Sequence, residues 1–286
     1  MKIDIEKIKK GKSTQELINF GIINIDKPSG PTSYRVDDYI KKSLDLKKSS
    51  HAGTLDPKVT GVQAVLLGRA CKLLGYFIGS DKTYVGVIRI HKTVSIEQVK
   101  EEAKKLVGKI KQLPPLRSSV KRAIREREVH SLEILEGDGK NFVFVTKVQA
   151  GTYARRLCED LGKNLGEAHM LELRRVQAGL FGEKESHTLY DFDKAVSEWR
   201  ECNEEPLRDM IIPAEIIAEK LPPLLIKEEY EKILRTGKIL LKEHLAQGTL
   251  KKEEVYSAFI NKEIPEFLGI YQGQSEKSAR AKFVFN

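Results

Sequence analysis

Asp56 is the residue with the most chemistry to offer. It sits in Ser49-Ser50-His51-Ala52-Gly53-Thr54-Leu55-Asp56-Pro57-Lys58-Val59-Thr60-Gly61, with the His51 imidazole a few positions upstream. A carboxylate can attack carbon as a nucleophile or carry a proton. Pro57 disfavours helix at Asp56 and stiffens the backbone around it. Gly53 and Gly61 permit backbone angles and close approaches that other residues resist. A loop of this kind can hold an acid rigidly on the floor of a cleft. The same residue types also make an ordinary surface turn with a solvated aspartate, and the loop alone does not choose between the two.

The surrounding pattern supplies elements to position that loop. Phe20 to Ile25 is strand-like and runs into the turn Lys27-Pro28-Ser29-Gly30-Pro31. Thr32 or Ser33 can cap a helix over Tyr34 to Ser43. Val62 to Leu67 reads as a strand, Arg69 to Phe77 as helical and Thr83 to Ile90 as a strand carrying Tyr84. Ser95 can cap an amphipathic helix to about Val107. Glu133 to Leu135 and Phe142 to Val148 flank a Gly-Asp-Gly-Lys-Asn turn and read as a hairpin. Thr152 to Leu165 is the next helix, closed by Gly166, with Arg155 near its start, and Met170 to Val176 returns as a strand. The mixture predicts an α+β fold with a largely antiparallel sheet. Residues 1–19 read as a charged arm, 20–220 as the catalytic domain, and 221–286, beyond Leu221-Pro222-Pro223, as a small β-rich domain.

Lys and Arg exceed Asp and Glu by 9 and the pI is near 9.2, which favours a polyanionic partner without identifying it. The run Lys121-Arg122-Ala123-Ile124-Arg125-Glu126-Arg127 can track a nucleic-acid backbone or be a solvated charged face. Cys71, Cys158 and Cys202 are far apart, which argues against a disulfide framework or a zinc site and predicts reduced thiols. The charged N-terminus lacks a signal-peptide core, and no apolar run is long enough to cross a bilayer.

An ordered series of motifs resembles the TruB and dyskerin group of pseudouridine synthases. The series is Gly21-Ile22-Ile23-Asn24-Ile25-Asp26-Lys27-Pro28, the Asp56 loop, Asp81-Lys82-Thr83-Tyr84-Val85, Ala150-Gly151-Thr152-Tyr153-Ala154-Arg155-Arg156-Leu157, and Ala168-His169-Met170-Leu171-Glu172-Leu173-Arg174-Arg175. The resemblance implies isomerisation of uridine in RNA, which needs no cofactor, no metal and no energy carrier. It assigns the reacting carboxylate to Asp56, as nucleophile or base. Arg155 is implied to pair with Asp56, keeping it ionised and aimed, and Tyr84 to stack on the target uracil. His51 would accommodate the flipped nucleotide and Leu173 would form an apolar wall, although core packing explains Leu173 equally well. Lys121, Arg122 and Arg125 would contact RNA. Lys27, Pro28 and Gly53 would support the loop.

The stretches Asp56-Pro57-Lys58-Val59-Thr60-Gly61 and Leu113-Pro114-Pro115-Leu116-Arg117-Ser118-Ser119-Val120-Lys121-Arg122 resemble dyskerin, and a missing insertion also points to the guide-dependent branch of the group. Ser118-Ser119-Val120-Lys121-Arg122 runs almost directly into Arg127-Glu128-Val129, leaving no room for the inserted thumb of the bacterial tRNA enzymes. His244-Leu245-Ala246-Gln247-Gly248-Thr249-Leu250-Lys251-Lys252-Glu253-Glu254-Val255-Tyr256 resembles the centre of a PUA RNA-binding module, with Glu253 or Glu254 where that module usually has a glycine-aspartate turn. The resemblance therefore implies the catalytic subunit of an H/ACA ribonucleoprotein. Its partners would be guide RNA, an rRNA substrate and small accessory proteins, with no membrane. The alternatives are a standalone enzyme for the tRNA T-loop and an RNA-binding scaffold without turnover. A compact chain without long Lys-rich tails suggests a cytoplasmic setting, a nucleolar one being the alternative.

Overall fold

The computed structural model describes residues 2–113 and 123–285. The chain divides into two compact units, Met1–Ile22 together with Ile211–Asn286, and Ile23–Met210. The division falls ahead of the Pro-Pro boundary expected from sequence, because the short segment Ile211–Pro213 and the turn after it already belong with the C-terminal residues.

The segment expected to be a charged arm is helical. Helix α1 is Ile5–Gly11, capped by the Asp4 side chain accepting from Lys7 N at 2.9 Å. Helix α2 is Thr14–Asn19, opened by a Ser13–Glu16 capping box. Ile3, Ile8, Leu17 and Ile18 are buried, Lys2, Lys7 and Lys10 face out, and Lys12 turns in to pair with buried Glu215. So few apolar residues among so many charges leave almost no helical periodicity to read.

The unit Ile23–Met210 begins within β1 (Gly21–Lys27), followed by α3 (Ser33–Ser43), β2 (Ser49–His51) and β3 (Thr60–Leu67). A 3-10 turn leads into α4 (Leu74–Ile78), then β4 (Lys82–Ile90), α5 (Ile96–Lys105) and β5 (Gly108–Gln112). Next come β6 (Arg125–Asp138), β7 (Asn141–Val148), α6 (Ala154–Gly162), β8 (Ala168–Ala178) and β9 (Phe181–Gly182). Helices α7 (Leu189–Arg200) and α8 (Glu205–Met210) complete it. The strands form one sheet in the order β1-β3-β8-β4-β7-β6-β5, with β2 added on β3 and β9 on β8. Pairing is antiparallel for β4 with β7 and β8, and for β6 with β5 and β7. It is parallel where Thr60 and Gly61 of β3 meet Arg174 and Arg175 of β8. The expected α+β class with a largely antiparallel sheet is what forms.

Local sequence explains the elements around the sheet. Thr32 caps α3, and Ser95 with Gln98 makes a capping box on α5. Strand β4 alternates, burying Lys82, Tyr84, Ile88 and Ile90 on one face. Helix α6 buries Ala154, Leu157, Cys158 and Leu161, the spacing of a single helical stripe. Those residues share a core with Val99 and Ala103 of α5 and with Ile88, Phe142 and Phe144 of the sheet. Burial pushes the Cys158 thiol up to about 12.

In the other unit the chain continues through β10 (Ile211–Pro213), β11 (Pro223–Ile226), α9 (Glu231–Arg235), β12 (Leu240–Leu241) and β13 (Leu245–Gln247). It ends in β14 (Val255–Ile260), β15 (Glu266–Gly273) and β16 (Ser278–Val284). A 6-stranded sheet, ordered β12-β16-β15-β14-β11-β13, closes over Leu224, Ile226, Leu234, Tyr256 and Leu268. This is the small β-rich domain expected from sequence.

Glu253 adopts φ +67°, a left-handed conformation that suits glycine and strains a residue with a Cβ. It lies at the turn where a glycine-aspartate pair is usual in the module that the segment resembles. Glu253→Gly is expected to stabilise this unit by about 0.5–1 kcal/mol, read as a raised midpoint in denaturant unfolding. An unchanged or lowered midpoint contradicts it.

Candidate active site

The loop from Ala52 to Val59 has little regular structure, so its buried backbone carbonyls need other donors. Buried cations supply them. Lys27, at 0% exposure, donates from Nζ to Pro28 O at 2.8 Å, Pro57 O at 3.0 Å and Val59 O at 2.9 Å. Arg175, at 1% exposure, donates from Nε to Val62 O at 2.7 Å and from Nη2 to Gly53 O at 2.9 Å. Burial pushes both side chains below their usual basic range, and the Arg175 charge adds to the effect on Lys27.

Smaller contacts complete the frame. Ser33, at the start of α3, accepts from Leu55 N at 2.8 Å, and its hydroxyl reaches Leu55 O at 3.2 Å. Gly30 N donates to Pro57 O at 2.9 Å, and Val59 N to Asp56 O at 3.0 Å. Gly61 has φ +101°, and a Cβ there would fall 2.2 Å from Arg175 O, so the β3–β8 junction admits only glycine. Gly53, at φ +112°, holds the turn that presents its carbonyl to Arg175.

On this frame Asp56 is presented outward. Its Oδ2 accepts from Arg155 Nη2, and the side chains are 48% and 41% exposed respectively. The helix that carries Arg155 is fixed at its entry. Tyr153 offers no side-chain cap, but buried Gln112 accepts from Tyr153 N at 3.0 Å and donates to Tyr153 O at 3.3 Å. With Ala154 and Leu157 turned into the core, Arg155 lies on the flank and reaches Asp56. Arg156 points elsewhere, to Glu159 at 2.5 Å.

The remaining expected residues fall into groups. Tyr84 is buried in the same apolar cluster as Leu55, Val59 and Leu173, with the Arg175 guanidinium near its hydroxyl. Leu173 is thus a core residue beneath the loop. His51 Nδ1 lies 3.2 Å from Asp37 Oδ2, and its Nε2 lies 3.3 Å from Thr54 Oγ1. Pro28 supports the loop through its carbonyl on Lys27. Arg125 begins β6 and is half-buried. Lys121 and Arg122 lie outside the described residues. Among the described residues no group of His, Cys, Asp and Glu is placed to hold a metal ion, and no helix is long and apolar enough to cross a membrane.

Arg175 is the functional-site residue that the sequence reading did not single out. It stands beside Arg174 in an Arg-Arg pair, and strand alternation sends the two side chains to opposite faces. Arg174 pairs with Asp26 at 2.8 Å and Glu183 at 2.9 Å, while Arg175 turns into the core under the loop. Alternation along β8 was the available signal.

Two family models match the chain. The TruB family pseudouridylate synthase N-terminal domain covers residues 41–154, and the tRNA pseudouridylate synthase B C-terminal domain covers residues 155–219. A probable tRNA pseudouridine synthase B of Methanocaldococcus jannaschii is 44% identical over 219 residues, which are 76% of this chain and 65% of that protein. The chain thus spans just under two thirds of this relative's length. A protein of the same description from Pyrobaculum calidifontis is 41% identical over 86% of this chain and 73% of its own. Among solved structures, a Cbf5–Nop10–Gar1 complex matches with TM-score 0.87 and 34% identity, over 97% of this chain and 88% of that one. An H/ACA RNP bound to a substrate RNA containing 2′-deoxyuridine matches with TM-score 0.86 and 32% identity, over 97% and 89%.

The buried ammonium should matter more to loop order than any surface charge. Lys27→Met fills similar space but removes the ammonium from the carbonyls of Pro28 and Val59 and leaves Pro57 O with Gly30 N alone. A loss of about 3 kcal/mol in denaturant unfolding is expected. Amide exchange should rise at Val59, whose N–H closes the Asp56 turn. A change below 1 kcal/mol with unaltered exchange contradicts the clamp.

Proposed function

Because this chain belongs to the TruB family of pseudouridine synthases, we propose that it isomerises uridine to pseudouridine in RNA. The observation that carries this reading is the half-exposed Asp56 carboxylate, paired with Arg155 on a loop held by buried cations. In the isomerisation the C1′–N1 bond breaks and the base turns. A C1′–C5 bond forms, the C5 proton leaves and N1 takes one up. A carboxylate serves as nucleophile or base in such a sequence without help from a redox group. The guanidinium of Arg155 fixes the direction from which that carboxylate meets the ribose or the base.

Target uridines in structured RNA must leave their stack to reach Asp56. His51, at the end of β2, and Thr54, on the loop that follows, meet the extruded nucleotide first. Tyr84 acts from beneath, its ring forming the apolar floor. The basic balance of the chain favours phosphate contact, with Arg125, Lys121 and Arg122 as the proposed RNA-facing cations.

We propose further that the chain works in a guide-dependent H/ACA ribonucleoprotein acting on rRNA, with accessory proteins of the Nop10 and Gar1 kind. Likeness over 97% of its length to chains from such complexes supports this, as does the small β-rich C-terminal sheet, read as a PUA-like module. The second reading is a tRNA enzyme, favoured by the description of its relatives as probable tRNA pseudouridine synthases.

Asp56→Asn is expected to abolish pseudouridine formation while RNA binding persists. Arg155→Ala is expected to lower turnover on the order of 10²–10³-fold, because the carboxylate loses its directing partner. Pseudouridine mapping by sequencing, on rRNA and tRNA with and without guide RNA, reads both. Near-parental turnover by Asp56→Asn removes the assignment. Product in tRNA without guide, and none in rRNA with it, selects the second reading.

A further inference from the structure

Helix α3 buries a stripe of Ser33, Val36, Asp37 and Ile40. Val36 and Ile40 are the apolar side chains such a stripe calls for, and Asp37 is not. It is only 7% exposed, its Oδ1 is buried without a hydrogen-bond partner, and its Oδ2 meets His51 Nδ1 at 3.2 Å. Its neighbour Asp38 has the ordinary fate of a helix-surface acid, pairing with Lys41 and Lys42 at 2.7 Å each. Burying a carboxylate is costly unless it is matched, and here the match is an imidazole.

We propose that Asp37 is a positioning residue for His51: it accepts the Nδ1 proton and thereby aims Nε2 at Thr54 and the Asp56 loop. With Nδ1 committed to Asp37, Nε2 is the nitrogen left to meet an incoming nucleotide. It lies 3.3 Å from the hydroxyl of Thr54, an exposed residue just ahead of Asp56. The same helix holds both parts of the site. Its first turn grips Leu55 through Ser33, and its second turn holds His51 through Asp37. The imidazole and the carboxylate of Asp56 are therefore referred to one rigid element. The consequence for turnover rests on the activity proposed above; the state of the imidazole does not.

Nitrogen-15 NMR of the full chain labelled at histidine tests the geometry directly. The His51 signals are those lost in His51→Gln. A protonated Nδ1 is expected in the parent protein. A His51 ring bearing its proton on Nε2 alone overturns the proposal, whether or not the chain turns over any RNA. If the chain is active, Asp37→Leu and His51→Gln should each lower kcat/KM by about 10-fold, and the double variant should be no worse than the poorer single one. Asp37→Asn, which still offers an oxygen to Nδ1, should recover most of the loss. Losses that multiply, or an Asp37→Asn as poor as Asp37→Leu, overturn the positioning role. Absence of activity in the parent defeats the functional reading instead, and the NMR result then decides the proposal alone.

Discussion

Everything at the site depends on how an irregular loop keeps its carbonyls satisfied away from water. Lys27 and Arg175 do this together, one gripping Pro57 and Val59, the other Gly53 and Val62. A water-filled loop would satisfy the same groups and would be mobile. A cation buried among fixed acceptors gives up its hydration and in return leaves the backbone one arrangement. The cost is visible in the depressed basicity of both side chains. That cost lies on the frame, so the carboxylate in front of it can stay accessible.

The Asp56–Arg155 pair has the opposite character. Each side chain is nearly half exposed, and pairs in such a setting add little to stability. Its value is directional. A bound molecule covering both groups would exclude water, and the same charges would then interact through a lower effective dielectric. A pair that is modest in the free protein would become a strong orienting force.

Much of this was legible in the sequence because local chemistry decides it. Thr32 and Ser95 marked helices whose ends fall within a few residues of expectation, and the Gly139-Lys140 turn marked its hairpin although β6 begins at Arg125 rather than Glu133, since caps and turns act over single residues. Asp56 and Arg155 were identified by motif, and the fold brings them into contact. The less legible parts depend on which way a side chain turns. Arg174 and Arg175 are chemically identical neighbours, and so are Asp37 and Asp38; in each pair one faces water and the other is buried. The N-terminal helices were missed for a related reason, since the groups that bury Ile8 and Leu17 come from the far end of the chain.

That last arrangement bears on how the molecule is made. The first 22 residues complete a unit whose other part begins only at Ile211, whereas Ile23–Met210 is continuous. During synthesis at roughly 5–20 residues per second, the continuous unit can assemble while its predecessor waits on the order of tens of seconds for its complement to emerge. Through that interval Ile3, Ile8, Leu17 and Ile18 have no core to enter. The five lysines among residues 2–12 then act as charged gatekeepers for this nascent apolar segment until its strands arrive.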